Sequence, residues 1–235
     1  SRTSQRAARR LVRDHAFVRT TSVAAFVASR RLSQVRRGTL DYLGIGDPVL
    51  VADGSRQEAV KAAARFSLPT RSGPLTSLPE LPETAEELQR VAGLFDKART
   101  RILTRDGASQ EAFRLEPLSE FDIVHFATHG LVREEVPGLR EPALVLTPDP
   151  RPDPSSDRSD ARGVGLLTSS QIAALPLRAR LVVLSACNTG TGAGAGAGAA
   201  SGLGRAFFYA GTRALLVTNW SVHSQSARDL TTDLF

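Results

Sequence analysis

Leu181-Val-Val-Leu-Ser-Ala-Cys-Asn-Thr-Gly190 holds the only cysteine of the chain. Its first four residues are a short apolar run, rich in β-branched side chains, of the kind that forms a strand buried on both faces in a parallel sheet. Ser185 and Ala186 carry the chain to the strand's C-terminal edge, and Asn188-Thr-Gly breaks it into a loop. In open α/β sheets, sites are built at that edge. Phe121-Asp-Ile-Val-His-Phe-Ala-Thr-His-Gly130 has the same shape, an apolar strand ending on His129 and a glycine. Two parallel strands are therefore expected to bring Cys187 and His129 together.

Working outward, further strands are expected at Leu40–Gly46, at Arg101–Thr104, over Ala143-Leu-Val-Leu-Thr and over Ala214-Leu-Leu-Val-Thr-Asn, with another at 16–21. Helices are expected at 23–31, with Ala24, Phe26 and Val27 partly buried, and from Leu81 onward. The latter carries an apolar stripe of Leu88, Val91 and Leu94-Phe95, and Thr84 and Glu87 stand at capping-box spacing. Others should start after Ser109, at Thr168, at Gly202 (packing Leu203, Phe207 and Phe208) and at Ser226. Segment 49–78 reads as a surface loop with a short helix, 131–142 and 148–163 as loops, the last a Pro/Asp/Ser/Arg insertion, and the Gly/Ala run 190–200 as a flexible loop. Strands alternating with helices argue for a parallel α/β sandwich.

The chain has 235 residues and the apolar and charged content of an ordinary globular protein. No apolar run approaches the ~20 residues of a membrane helix, and no secretory signal is visible, so a cytoplasmic location and no membrane partner are expected. The lack of any methionine, and a pattern that stops mid-helix at Phe235, suggest a piece of a longer protein. The first 40 residues carry ten Arg against Asp14, a net +9 within a total of +6, so the rest is at −3. No aromatic residues interleave with these arginines to stack on bases, which disfavours a nucleic-acid partner; residues 1–15 read as an Arg-rich linker or helix.

One cysteine excludes an internal disulfide and a Cys-cluster metal site, leaving an inert core thiol or a nucleophile. A nucleophilic cysteine attacks as thiolate, a nearby imidazole takes its proton, and N–H donors must meet the developing oxyanion. Cys187 and Gly130 offer those N–H groups. His125 lies four residues before His129, about 13 Å away at ~3.3 Å per residue along a strand, too far to share a metal, and is expected to be a buried structural histidine. Glu134 and Glu135 read equally as groove or solvated loop. No metal and no cofactor are expected: the Gly/Ala run lacks the strict dinucleotide fingerprint (only Gly192, Gly194 and Ala197 fit), and no acid follows at the ribose distance.

Phe126-Ala-Thr-His-Gly130 and Val183-Leu-Ser-Ala-Cys-Asn-Thr-Gly190 closely resemble the CHAT family of caspase-like (clan CD) cysteine peptidases. Leu43-Gly-Ile-Gly-Asp-Pro48, Leu81-Pro-Glu-Thr-Ala-Glu86, Glu141-Pro-Ala-Leu-Val-Leu146, Gly165-Leu-Leu-Thr-Ser-Ser-Gln-Ile-Ala-Ala174, Gly204-Arg-Ala-Phe-Phe-Tyr-Ala-Gly211 and Ala214-Leu-Leu-Val-Thr-Asn-Trp-Ser-Val222 match in order, so the resemblance covers residues 16–235. It implies a caspase-like α/β/α sandwich with a mostly parallel central sheet. It also implies peptide-bond hydrolysis with His129 as base and Cys187 as nucleophile, an oxyanion hole from the N–H groups of Gly130 and Cys187, a protein or peptide substrate, and helical-repeat domains of tetratricopeptide type elsewhere in the parent. Asp122 and Trp220, Ser221, Val222 and His223 are expected to line the substrate pocket. The chain departs from the family pattern in its acid-free Gly/Ala loop, in His223 where Asp is common, and in Val164-Gly165 where Asp-Gly is common. With no acid at His223, a preference for Lys or Arg before the cut is not implied. The alternative is a catalytically silent scaffold domain of the same fold.

Overall fold

The computed structural model describes Val27 and residues 38–50, 78–133, 139–148, 165–185 and 195–217, with only the backbone at 195–201. The chain divides into two compact units, Ser1–Arg36 and Arg37–Phe235. In the first, Val27 lies in a helix and is 43% exposed, more open than its expected half-buried place. The rest of the expected strand and helix at 16–31, the loops at 51–77, 134–138 and 149–164, and the final helix lie outside the described residues.

In the second unit, β1 (Leu40–Pro48), β2 (Thr100–Arg105), β3 (Phe121–Ala127), β7 (Leu181–Leu184) and β8 (Leu215–Val217) form a five-stranded sheet in the order β2-β1-β3-β7-β8. Every pairing in it is parallel. All seven residues of β3 are buried, as its largely apolar run suits a central strand covered on both faces, and its two polar residues, Asp122 and His125, are buried with it. Each face has its own core. On one side helix α1 (Pro82–Ala92) lays Leu88, Val91 and Ala92 over Tyr42, Ile123 and Ala127. On the other side α2 (Gln110–Leu115), α3 (Ser169–Ala173) and α4 (Ala195–Tyr209) contribute Phe113, Ile172, Leu203 and Phe207 to a cluster with Leu43, Ile45, Val124, Phe126, Val182 and Leu184. Within β1, Leu43 and Ile45 face one core and Tyr42 the other, as the two-residue strand period dictates, while Leu40 at the strand's start also packs on the Leu43 side. The result is an α/β/α sandwich.

A small antiparallel sheet, β4 (Gly130–Leu131), β5 (Ala143–Val145) and β6 (Leu166–Thr168), has its own core of Leu50, Leu131, Leu139, Ala143, Val145 and Leu166. Leu166–Thr168 was expected only as the approach to a helix; it pairs with β5 before Thr168 caps α3 with a full capping box.

Three further expectations are corrected. The Gly/Ala run is not wholly loop: α4 begins at Ala195, since consecutive alanines favour a helix despite the interspersed glycines. Leu94 and Phe208 are 54% and 52% exposed rather than packed. Thr84 and Glu87 form no capping box. Leu81 is the N-cap without a side-chain bond, and Pro82 starts the helix, where its missing N–H costs nothing. Both polar residues turn inward, into the site.

Candidate active site

β1 feeds β2 on one side and the chain then crosses back to β3 on the other, so the strand order reverses between β1 and β3. The C-terminal ends of these strands flank the crevice where open α/β sheets place their sites. Gly46 and Ala127 are register partners at that rim. A Cβ on Gly46 would stand 2.6 Å from the Ala127 carbonyl oxygen and 2.9 Å from a Leu88 methyl, so only glycine lets the two strands and α1 meet there. The next residue, Asp47, adopts a left-handed φ of 46° and lies at a register shift in the ladder, before Pro48 pairs with Arg105 of β2. Its carboxyl is pushed up by burial, against the opposing pull of Arg105 at 3.3 Å.

His129 follows β3 by two residues and is buried. Its backbone is fixed by the small sheet: the Val145 N–H donates to the His129 carbonyl at 2.9 Å, and the Thr128 hydroxyl donates to the Val145 carbonyl. With that bond in place, the Gly130–Leu144 pair is of the non-hydrogen-bonded kind, and the Gly130 N–H faces away from β5.

The imidazole is held at one nitrogen. Nε2 lies 2.8 Å from the Pro79 carbonyl oxygen, which can only accept, so Nε2 carries the proton. Nδ1 is then a bare lone pair, buried and without a hydrogen-bond partner among the described residues. Burial holds the ring below the ordinary histidine range, countered in part by the Pro79 carbonyl and the field of Glu83. Near neutral pH the side chain is thus an uncharged base with its acceptor nitrogen free. Pro79 was not legible as a site residue, because it acts through its backbone. It is positioned by sequence all the same: Leu78 packs against the small-sheet core, and Pro82 starts α1 three residues later. Thr84 ties that turn to the rim, accepting from the Asp47 N–H at 2.8 Å and donating to the Leu81 carbonyl at 2.7 Å.

β7 runs beside β3 in register, Phe126 opposite Leu184, and the Ser185 N–H continues the ladder to the Phe126 carbonyl at 2.8 Å. The cysteine strand therefore ends next to the histidine strand, at the same rim. Cys187 itself, with Trp220, Ser221, Val222, His223, Glu134 and Glu135, lies outside the described residues. Asp122 is displaced from the pocket expected for it. It sits at the N-terminal end of β3, seven residues and about 23 Å of strand from His129 at ~3.3 Å per residue, where its carboxylate accepts from the Gly38 N–H at 2.7 Å.

His125 is fully buried, as expected of a structural histidine, but it is not alone. Its Nδ1 is 2.8 Å from the Tyr42 hydroxyl, and its Nε2 is 3.2 Å from Glu87 Oε1, within ion-pair distance though misaligned for a hydrogen bond. The second oxygen of Glu87 accepts from the Ser185 hydroxyl at 3.3 Å. Burial, then the neighbouring Glu87, keep the Tyr42 phenol protonated far above its usual range. Among the described residues no group of three or more His, Cys, Asp or Glu could hold a metal ion, and no helix is long and apolar enough to cross a membrane.

No curated protein and no solved structure matches the chain. A family model does: the CHAT domain, over residues 2–235. With a parallel sheet sandwiched between helices, and a histidine strand and a cysteine strand adjacent at its heart, the chain belongs to the caspase-like CHAT domain family.

Proposed function

We propose that the chain is a cysteine endopeptidase in which His129 is the general base and Cys187 the nucleophile. The observation that carries the reading is the buried Nδ1 lone pair of His129. A buried acceptor without a donor is costly, and a thiol delivered from the neighbouring strand supplies the missing proton. The Cys187 S–H proton passes to Nδ1 while Nε2 keeps its own proton on the Pro79 carbonyl, which steadies the resulting imidazolium. The thiolate adds to the substrate's peptide carbonyl carbon, and the N–H groups of Gly130 and Cys187 receive the oxyanion. On collapse the C–N bond breaks, Nδ1 returns its proton to the leaving amine, and an acyl thioester remains. Water then adds to that carbonyl with Nδ1 taking its proton. The C–S bond breaks, the acid product leaves and the thiol is restored.

The chemistry needs no cofactor. Its partners are a protein or peptide substrate, held partly by Trp220, Ser221, Val222 and His223, and helical-repeat domains of a longer cytoplasmic parent that regulate the site. The test is a panel of peptides bearing a thiol-reactive acyloxymethyl ketone, read by intact mass. Because the chain has one cysteine, a single adduct identifies Cys187. An adduct that disappears in His129→Ala supports the peptidase. No adduct with any probe, in the chain or in its full-length parent, would refute it and leave a silent scaffold.

A further inference from the structure

The chain of Tyr42, His125, Glu87 and Ser185 is not explained by packing. Glu87 has a side chain only 3% exposed on a helix face whose neighbouring turns use Leu88 and Val91 against the same sheet. A carboxyl group buried there gives up its hydration, and apolar residues of similar volume are commonly as stable or more so. What the acid adds is one hydrogen bond and one close contact at ion-pair distance. Oε1 faces His125, itself held by the protonated phenol of Tyr42, and Oε2 accepts from Ser185. Ser185 directly follows β7, two residues before Cys187 in the sequence, and its backbone N–H donates to the Phe126 carbonyl of β3 at 2.8 Å. Glu87 is thus a side-chain anchor, reaching from α1 to the end of that strand, and three strands share in holding it.

We infer that Glu87 is a positioning residue, braced by His125 and Tyr42, which fixes Ser185 and with it the strand end two residues before Cys187. The role rests on the proposed cysteine chemistry: a thiol misplaced by about 1 Å loses roughly a hundredfold in rate, and an anchor two residues away along the chain limits such drift. It also distinguishes His125 from His129, the first holding the scaffold and the second the proton.

The test is the second-order rate of iodoacetamide alkylation of the single cysteine, measured against pH in the full chain, beside the urea midpoint of each variant. If the wild type alkylates rapidly well below the free-thiol range near ~8.5, and His129→Ala removes that reactivity, the peptidase reading stands. If the wild type titrates as an ordinary thiol and His129→Ala changes nothing, that reading fails first. Given a reactive wild type, Ser185→Ala and Glu87→Gln are expected to slow alkylation at neutral pH about tenfold, short of the ~10²-fold of a 1 Å misplacement, and to move the profile toward the free thiol. Ser185→Ala should stay cooperatively folded with a modestly lowered urea midpoint, and Ser185→Thr, which retains the hydroxyl, should restore both midpoint and rate. Ser185→Ala decides the matter if Glu87→Gln does not fold. Wild-type rates and profile in folded Ser185→Ala would overturn the inference.

Discussion

Tyr42→Phe removes one oxygen atom from the middle of the molecule. The ring keeps its stack on Phe95 at 5.6 Å between centroids, and its space beside Gly44, whose absent Cβ would otherwise approach the ring at 3.0 Å, is unchanged. What is lost is the 2.8 Å bond to His125 Nδ1, at a site where both residues are fully buried. A buried polar atom left without its partner costs about 1–3 kcal/mol. The expected loss is therefore about 2 kcal/mol, a fall in midpoint temperature of roughly 4–8 °C for a chain of this size. Urea unfolding followed by tryptophan fluorescence and far-ultraviolet circular dichroism measures it. In a His125→Leu background the same change should cost less than half as much, because the partner is already gone. A loss under ~0.5 kcal/mol in the otherwise native chain would refute the reasoning, since it would mean that Nδ1 does not depend on the phenol.

Gly46→Ala should destabilise by roughly 1–3 kcal/mol, because its Cβ meets the Ala127 carbonyl at 2.6 Å, and thermal unfolding reads the loss directly. His129 is held below its free value by burial, so the unfolded chain binds its proton first. Stability should decline as pH falls through the free histidine value near ~6.5 and level off below the folded one, and His129→Asn should flatten that part of the urea-midpoint profile. For Glu141 burial pushes the carboxyl up, but bonds from Ser169, Ser170 and Thr168 outweigh it and leave the carboxyl below its usual range. Its contribution is present above the free value near ~4.3 and lost as pH falls through the folded one, so Glu141→Gln should be less sensitive to acid in the same assay.

The strands were legible because a buried parallel strand has few ways to be written: Phe121–Ala127 and Leu181–Leu184 appear where their apolar runs begin and end. Ser109 was legible as a cap for the same local reason, its hydroxyl accepting from the Ala112 N–H. His129 could be named from its place at a strand end. Pro79 could not, because a carbonyl has no side-chain signature, and its partner is 50 residues away. Glu87 was misread for a related reason. Thr-x-x-Glu is a local word for a helix start, but the helix had already begun at Pro82, and a partner on β3 took the carboxylate. Asp122 was expected in the pocket, yet its place at the start of β3 sets it at the end of the sheet opposite His129, where it accepts from the Gly38 N–H.

The place of β1 between β2 and β3 has a consequence for biosynthesis. Its two neighbours arrive late: Tyr42 pairs with Thr100, and Leu40 with Phe121, about 80 residues downstream. At roughly 5–20 residues per second, a nascent chain carries this segment unpaired for about 4–16 s before both flanks have been synthesised. Glycine at positions 44 and 46 suits that interval, because glycine-rich segments make poor templates for intermolecular β-stacking. Gly46, which lets the strands close tightly at the rim, also helps keep the first of the described strands from sticking to its neighbours on the polysome.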